Sequence, residues 1–295
     1  MEIVLISGLS GSGKSVALRL LEDNGYFCTD NLPAALLQEL IAELTTSGVK
    51  RLAVAVDSRS GKDVQELPAY MKSLQETGHN ILFLVLEARD ESLLKRFSET
   101  RRSHPLAVEK LEGDVPERTL IECVHEERLR MQPLFDLGHR IDTSDLSAAK
   151  LREWVRQFVC ADDNDATPSQ GGLTLLFESF GFKGGLPQDA DLVFDVRCLP
   201  NPHYDSELRP FTGLDEPVIA FLESEPRVVE MRGEIVRFLE QWLPDYVVDG
   251  RSYLCVAIGC TGGQHRSVYL AHWLSRYFSG RGRVLLRHRN LPPGY

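Results

Sequence analysis

A short glycine-rich segment near the start of the chain constrains the fold more than any other feature. Its eight residues, GLSGSGKS from Gly8 to Ser15, match the pattern GxxxxGK[ST]. An apolar run at 2–7 precedes them, and the segment VALRLLEDNG after them has helical spacing that closes at Gly25. A phosphate-binding P-loop requires this succession of strand, glycine loop and helix. The sequence therefore predicts a nucleoside triphosphate site here.

Each part of this loop has an expected role. Glycines allow backbone N–H groups and the helix N-terminus to approach a phosphate, because a Cβ would crowd the bound anion. Lys14 is expected to reach the β- and γ-phosphates, and the Ser15 hydroxyl is expected to ligate Mg²⁺. The predicted nucleotide-binding residues of the loop are Gly8, Leu9, Ser10, Gly11, Ser12, Gly13, Lys14 and Ser15.

An acidic side chain is expected beside the metal. Asp57 directly follows the apolar run RLAVAV, at the edge where parallel sheets bind ligands, so we predict that it ligates Mg²⁺ and acts with Lys14 and Ser15 in catalysis. The alternative is a turn residue at the end of the strand, which we favour less. Asp30 in CTDNLP is a rival, either as a carboxylate facing a substrate or as a helix cap. The basic segment 95–102 is either a lid that closes on phosphates or a solvated helix face.

The pattern along the chain predicts two α/β domains. Apolar runs at 52–56 and 81–86 alternate with amphipathic segments at 34–47 and 63–77, which favours a P-loop kinase-like parallel sheet with helices on both faces. The polar stretch ADDNDATPSQGG cannot pack a core. We therefore predict a nucleotide-binding domain at 1–160, a linker at 161–171 and a second α/β domain at 172–295.

Composition limits the partners and the compartment. A net charge of −10 and a pI near 5.4 exclude a chain that coats nucleic acid along its length, but the residues after Asp249 contain seven arginines and no acidic side chain. This asymmetry predicts a local anionic partner. The six cysteines form no CxxC pair, and we find neither a secretory signal nor 18 consecutive apolar residues. A soluble cytoplasmic protein without a membrane partner is expected.

A second succession of strand, glycine loop and helix occurs in IGCTGGQHRSVYLAHWL. The spacing from Cys260 to Arg266-Ser267 is typical of cysteine-dependent phosphatases, in which a thiolate attacks phosphorus and an arginine clamps the oxygens. We locate no general-acid aspartate, so we favour anion binding over phosphatase chemistry. The residues expected to form this anion site are Arg197, His203, Cys260, Thr261, Gly262, Gly263, His265, Arg266 and Ser267.

The motifs ISGLSGSGKS, DNLP, VDSRS, ETRRSHPL, ESFGFKGGLPQDADLVFDVRCLPNPHY and IGCTGGQHRSVYLAHWL together resemble the RapZ/YvcJ family. The resemblance spans essentially the whole chain. It implies binding and slow hydrolysis of ATP and GTP, with residues 8–15 as the ATP loop. It also implies a guanine-nucleotide motif formed by Asp57, Ser58, Arg59 and Ser60.

The same resemblance implies several partners. In enterobacterial members, the C-terminal domain binds small regulatory RNA and presents it to an endoribonuclease, and the protein assembles as a homo-oligomer. It also implies sensing of a phosphorylated metabolite such as an amino-sugar phosphate. The arginines expected to contact RNA are Arg281, Arg283, Arg287 and Arg289, although the chain has no lysine after Lys183.

Three functions remain in competition. The first is a regulatory protein with weak ATPase and GTPase activity whose second domain binds an anion or RNA. The second is a P-loop small-molecule kinase, for which the lid-like basic segment argues. The third is a cysteine-dependent phosphatase. We favour the first, because only it accounts for both glycine loops.

Overall fold

The computed structural model describes residues 1–56, 61–101, 103–107, 118–160, 173–249, 251 and 253–292, with the side chains of 61–65 and 160 left aside. The chain divides into two units, Met1–Ala161 and Asp162–Tyr295. Each unit is built on its own parallel sheet. The predicted α/β fold class is confirmed.

The first unit contains five strands and six α-helices among its described residues. The strands are β1 (Glu2–Gly8), β2 (Phe27–Leu32), β3 (Arg51–Val56), β4 (Asn80–Glu87) and β5 (His139–Asp142). The helices are α1 (Lys14–Asp23), α2 (Leu37–Thr46), α3 (Gly61–Glu76), α4 (Asp90–Thr100), α5 (Leu120–Phe135) and α6 (Ala148–Cys160). The strand order is β2-β3-β1-β4-β5, and every pairing is parallel.

Strand β1 lies at the centre of this sheet because its residues are apolar on both faces. Ile3 and Leu5 pack in one core with α2, α3 and α5, while Val4 and Ile6 on the opposite face are equally buried. A strand buried on both faces requires such a continuous apolar run. The loop after β1 therefore leaves the middle of the sheet at its carboxyl edge, where ligands of open α/β sheets bind.

The second unit contains four strands and three α-helices among its described residues. The strands are β6 (Thr174–Gly181), β7 (Leu192–Asp195), β8 (Tyr253–Cys260) and β9 (Val284–His288), in the order β7-β8-β6-β9, and all are parallel. The helices are α7 (Glu216–Ser224), α8 (Pro226–Val248) and α9 (Arg266–Phe278). Phe177, Val256 and Leu270 represent the core between the sheet and the helices.

Two elements of this unit escaped the sequence interpretation. Helix α7 is only nine residues long and begins with a proline in its first turn, a position that proline tolerates well. Strand β9 lies in the arginine-rich segment that we expected to face RNA. Its apolar residues Val284, Leu285 and Leu286 were the available signal. None of the described helices combines the length and apolar content needed to cross a membrane.

Candidate functional site: a phosphate loop and a cysteine loop

The loop between β1 and α1 takes a backbone path that demands glycine. Gly8 has a φ of 145°, and a Cβ built on it would lie 2.1 Å from the carbonyl oxygen of Leu86 on β4. Gly13 has a φ of 110° and caps α1 in the left-handed region. Side chains at either position would push the loop away from its course. The loop therefore curls tightly over the N-terminus of α1, as anion binding requires.

Lys14 and Ser15 begin α1 at the mouth of this loop. The Lys14 Nζ donates hydrogen bonds to the carbonyl oxygens of Gly8 and Leu9, at 2.6 and 3.1 Å, so its ammonium group is folded back across the loop. The first backbone N–H groups of a helix have no partner within the helix. These groups, the ammonium and the exposed Ser15 hydroxyl provide the donors and the metal ligand expected for a magnesium triphosphate.

A cavity of about 530 Å³ opens beside the loop. Its walls come from the loop, from the ends of strands and from α4, α5 and α6. The lining residues are Ser10, Gly11, Ser12, Gly13, Lys14, Ser15, Val16, Asp30, Asn31, Val56, Arg96, Phe97, Thr100, Ser103, Pro105, Glu127, Thr143, Leu146, Ser147, Ala148 and Leu151. Asp57, Ser58, Arg59 and Ser60 lie outside the described residues; Val56 is the last described residue before them. Asp57 thus stays a predicted metal ligand.

Arg96 of the basic segment 95–102 reaches the phosphate loop. Its Nη1 donates to the Gly11 carbonyl at 3.1 Å and to the Thr143 hydroxyl at 3.0 Å. Its Nη2 donates to the Thr143 carbonyl. The neighbouring Lys95 and Arg101 are exposed, and Arg102 lies outside the described residues. The basic segment is therefore divided: one guanidinium group lines the cavity, and the exposed charges face solvent.

Asp30 also lines the cavity, near the end of β2. Its carboxylate accepts a hydrogen bond from the backbone N–H of Asn31, which has a φ of 54°. The 3-10 helix that follows, Ala34–Leu36, is capped at Pro33 without a side-chain hydrogen bond, so Asp30 does not cap it. Asp30 therefore lines the cavity and does not cap that helix, and its role as a carboxylate facing a substrate stays a prediction.

The sequence interpretation missed Glu127 and His104. Glu127 on α5 is 1% exposed, and its carboxylate accepts hydrogen bonds from the Ser10 N–H and the Ser10 hydroxyl, both at 2.8 Å. The Nε2 of His104 lies 3.3 Å from the same carboxylate. Because Glu127 follows Ser10 by 117 residues, no local spacing could have identified this contact. His104 lies in the motif ETRRSHPL, but the sequence analysis assigned a possible role only to the basic residues of that segment.

The second glycine loop, which we call the cysteine loop (Cys260–Ser267), connects β8 to α9. Gly263 donates its N–H to the Cys260 Sγ at 3.3 Å, and the Ser267 hydroxyl lies 3.1 Å from that sulfur. Burial by itself would raise the pKa of the Cys260 thiol, but hydrogen bonds from Ser267 and Gly263 and the charge of Arg266 outweigh it and lower the pKa. The loop therefore stabilises negative charge at its centre.

Arg266 ties the cysteine loop to the segment after β7. Its Nη1 donates to the carbonyl oxygens of Arg197 and Leu199, each at 2.9 Å, and its Nη2 lies 3.3 Å from the Thr261 hydroxyl. The side chain is 4% exposed, yet its Nε has no hydrogen-bond partner among the described residues. Buried polar groups seldom lack a partner. An anion in the loop would supply one.

The other residues predicted for this anion site are arranged around it. The rings of His203 and His265 lie 6.2 Å apart, and His265 Nε2 is buried without a partner among the described residues. Arg197 is exposed, stacks on Phe182 and forms an ion pair with Asp195 at 2.6 Å. Thus the structure brings the histidines together, whereas the Arg197 side chain is engaged by its own neighbour.

The structure corrects the expectation that Arg287 and Arg289 contact RNA at the surface. Arg287 is 2% exposed and interacts electrostatically with Glu178 and Asp189, while Arg289 pairs with Glu178 at 3.2 Å. Glu178, Asp189 and Cys255 place ligand atoms within 4.8 Å of one another. Since two guanidinium groups already supply positive charge there, this is an ion-pair network of the fold, not a metal centre.

The remaining arginines of the expected RNA surface are accessible to different degrees. Arg281 is exposed, forms an ion pair with Glu240 at 2.6 Å and stacks on Tyr277. Arg283 is half-buried. Arg276 near the end of α9, which was not among the arginines expected to contact RNA, is exposed. Among these three arginines, Arg276 and Arg281 are therefore the ones exposed to an anionic surface partner.

Comparison with known proteins gives consistent matches over both units. The family model described as the RapZ-like N-terminal domain matches residues 1–163, and the one described as the RapZ C-terminal domain matches residues 173–292. A protein of Dechloromonas aromatica called a nucleotide-binding protein is 58% identical over 291 residues, which are 99% of each chain. One of Aromatoleum aromaticum is 56% identical over 98% of this chain and 95% of its own.

Solved structures resemble the chain over about half its length. A gluconokinase from Sinorhizobium meliloti covers 54% of this chain and 92% of its own, with a TM-score of 0.35 and 15% identity. A shikimate kinase from Acinetobacter baumannii in complex with shikimate covers 55% of this chain and 95% of its own, with a TM-score of 0.35 and 16% identity.

Proposed function

This chain belongs to the RapZ family, and we propose on that premise that it is a regulatory protein that binds ATP and GTP at the phosphate loop and hydrolyses them slowly. One observation carries this proposal above all: Lys14 and the tightly curled glycine loop face a cavity of about 530 Å³. The names of the relatives from Dechloromonas and Aromatoleum point the same way.

Magnesium is proposed as the cofactor of this site. The Ser15 hydroxyl at the start of α1 would be one ligand of the ion. Asp57 would be its acidic ligand, although it lies outside the described residues. Held by these residues, the ion would supply positive charge against the negative charge that develops during hydrolysis. The residues of the chain would hold the phosphates in place: the loop N–H groups surround them, and Lys14 turns from the Gly8 carbonyl toward them.

A small-molecule kinase is the second candidate, and Asp30 favours it. This carboxylate shares the cavity with the phosphate loop and could receive an acceptor hydroxyl. Incubation with ATP labelled on its γ-phosphate separates the two functions. A regulatory NTPase releases the label as inorganic phosphate, whereas a kinase transfers it to an added alcohol.

The cysteine loop is proposed to bind the phosphate group of a small metabolite, with an amino-sugar phosphate as the first compound to test. The support comes from the partnerless Nε of Arg266 and from the stabilisation of negative charge at Cys260. Phosphatase chemistry is the alternative. If the protein hydrolysed an aryl phosphate and Cys260→Ser abolished that activity, the phosphatase would be established instead.

We expect Arg266→Ala to weaken the binding of inorganic phosphate and glucosamine 6-phosphate by about 10- to 100-fold, because it removes a charged donor. Isothermal titration of the full chain measures this loss. Arg276→Ala is the matched control, since it removes an exposed arginine from the same helix. Thermal unfolding shows whether both variants keep their fold. Undiminished phosphate affinity in a folded Arg266→Ala protein would contradict the proposed anion site.

RNA is proposed as a partner of the exposed arginines near the end of α9, and the double variant Arg276→Ala/Arg281→Ala tests it. Each lost phosphate contact makes the plot of log K against log salt concentration less steep by about 0.7 to 0.9. The double variant should therefore have a slope that is smaller in magnitude by about 1.5. Filter binding of the full chain to a small RNA at several salt concentrations gives this slope. An unchanged slope would argue against these contacts.

An endoribonuclease partner and homo-oligomer formation are proposed from family membership alone.

A further inference from the structure

Glu127 is a buried carboxylate that faces the proposed nucleotide site without belonging to the P-loop motif. It lines the same cavity as Lys14 and Arg96. Three donors occupy its oxygens: the Ser10 N–H, the Ser10 hydroxyl and His104. A carboxylate offers about four lone-pair sites, two on each oxygen. Among the described residues, Oε1 accepts from the Ser10 hydroxyl alone and so retains one site. That remaining site can accept a hydrogen bond from a water molecule.

The position of Glu127 relative to Lys14 indicates which part of the nucleotide it would face. The charge of Lys14 acts on the Glu127 carboxylate. Glu127 also contacts Ser10 of the phosphate loop and lines the cavity together with Lys14. Because a P-loop lysine reaches the β- and γ-phosphates, this side of the cavity is where the γ-phosphate is expected. This is the end of the nucleotide where water attacks.

His104 fixes the orientation of the carboxylate. Its Nδ1 accepts a hydrogen bond from the Leu106 N–H at 3.2 Å, so the ring proton resides on Nε2 and is donated to Glu127. The ring also packs against Phe97, with 5.2 Å between the ring centroids. His104 is therefore a positioning residue, held by the segment that joins α4 to α5.

We propose that Glu127 orients the water that attacks the γ-phosphate, an inference that rests on the proposed nucleotide site. The water oxygen forms a new bond to phosphorus, and the bond from phosphorus to the bridging oxygen breaks and leaves its electron pair on ADP. One water proton passes through the Glu127 carboxylate to a non-bridging oxygen of the transferred phosphoryl group. The products are ADP and inorganic phosphate.

The chemistry of this carboxylate fits slow turnover. Burial would raise the pKa of Glu127, but the hydrogen bonds from His104 and Ser10 and the charge of Lys14 together lower it. A carboxylate with a low pKa stays ionised and orients water well, yet it is a weak base. Glu127 would thus support hydrolysis without making it fast.

The test compares Glu127→Gln with Glu126→Gln, which removes a partly exposed charge one residue away that pairs with Arg130. We expect Glu127→Gln to slow single-turnover ATP hydrolysis about 100-fold while the Kd for ATP stays within about threefold. Glu126→Gln should match the wild type. ADP with aluminium fluoride, which mimics the transferring phosphoryl group, should bind wild type more tightly than ADP alone, and Glu127→Gln should lose this gain.

The outcomes separate this inference from the proposed function. Hydrolysis by Glu127→Gln at the wild-type rate would overturn the inference alone, as would a parallel loss of binding and hydrolysis, which would mean that Glu127 only supports the loop. The inference would also be overturned if the wild-type protein bound ATP but did not hydrolyse the nucleotide. Failure of the wild type to bind ATP would refute the nucleotide site itself.

A second variant keeps the inference open to test if Glu127→Gln does not fold. His104→Gln should slow hydrolysis about tenfold at an unchanged Kd for ATP, because the carboxylate loses its orienting donor. Hydrolysis at the wild-type rate by His104→Gln would then count against the inference.

Discussion

Replacing Lys14 by alanine should lower the affinity for ATP and for GTP by about 100-fold, or about 2.7 kcal/mol. The ammonium group donates to the Gly8 and Leu9 carbonyls, and under the proposed function it would turn from them onto the β- and γ-phosphates. No other lysine or arginine of α1's first turn can replace it, since the next residues are Ser15, Val16 and Ala17. Isothermal titration in the presence of Mg²⁺ measures the loss.

The matched control for this prediction is Lys50→Ala, which removes an exposed lysine just before β3. It should bind both nucleotides like the wild type. Phosphate binding at the cysteine loop should be normal in both variants, which shows that the second unit is intact. Equal nucleotide affinity in the Lys14→Ala and wild-type proteins would remove the phosphate loop from the proposed function.

Replacing Arg287 by methionine should destabilise the second unit by about 3 to 5 kcal/mol, the range for breaking one side of a buried ion pair. The substitution keeps most of the side-chain volume but leaves Glu178 and Asp189 with Arg289 as their cation. The exposed pair of Arg281 with Glu240 offers a contrast, since Arg281→Met should cost about 1 kcal/mol or less. Urea unfolding of the full chain compares the two variants. A similar small loss in both would contradict the buried network.

The effect of Arg287→Met should depend on pH with a defined sign. Burial, followed by the neighbouring Asp189, raises the pKa of Glu178 to about 8 from its ordinary value of 4.5. Between these values the folded protein holds a proton that the unfolded chain has released, so this group lowers the free energy of unfolding as the pH rises. Loss of Arg287 removes a charge that favours the ionised form. The variant therefore holds the Glu178 proton to a higher pH than the wild type, so its loss of stability should be constant between about pH 5 and 7 and should grow as the pH rises above about 8.

The phosphate loop and the alternation of strands and helices could be predicted, because both depend on the spacing of residues that are close together in the sequence. The motif GLSGSGKS is flanked by a strand and a helix that can both be read from the adjacent residues. The buried apolar runs of β1, β3 and β4 are likewise continuous in sequence. Glu127 and His104 could not be predicted, because their significance depends on contact with Ser10 across the fold.

Arg287 shows the opposite error, a residue that was assigned a role on composition. Counting arginines after Asp249 treated every guanidinium group as exposed. The partners that hold Arg287 inside the fold, Glu178 and Asp189, precede it by about a hundred residues, so only the register of β9 against β6 reveals them. A charged residue within an apolar run such as VLLRH is a signal of burial beside an opposite charge.

The strand order of the second unit has a consequence for how it folds. Strand β6 comes first in the unit but lies between β8 and β9, and its Ser179 meets His288 across 109 residues of chain. Pairings so distant in sequence form late, because the intervening chain must lose much of its freedom first. Until β9 docks, β6 is an open edge that bears a carboxylate without its guanidinium partners. The slowest step in refolding of this unit should therefore be the arrival of β9, and Arg287→Met should act mainly on the rate of unfolding.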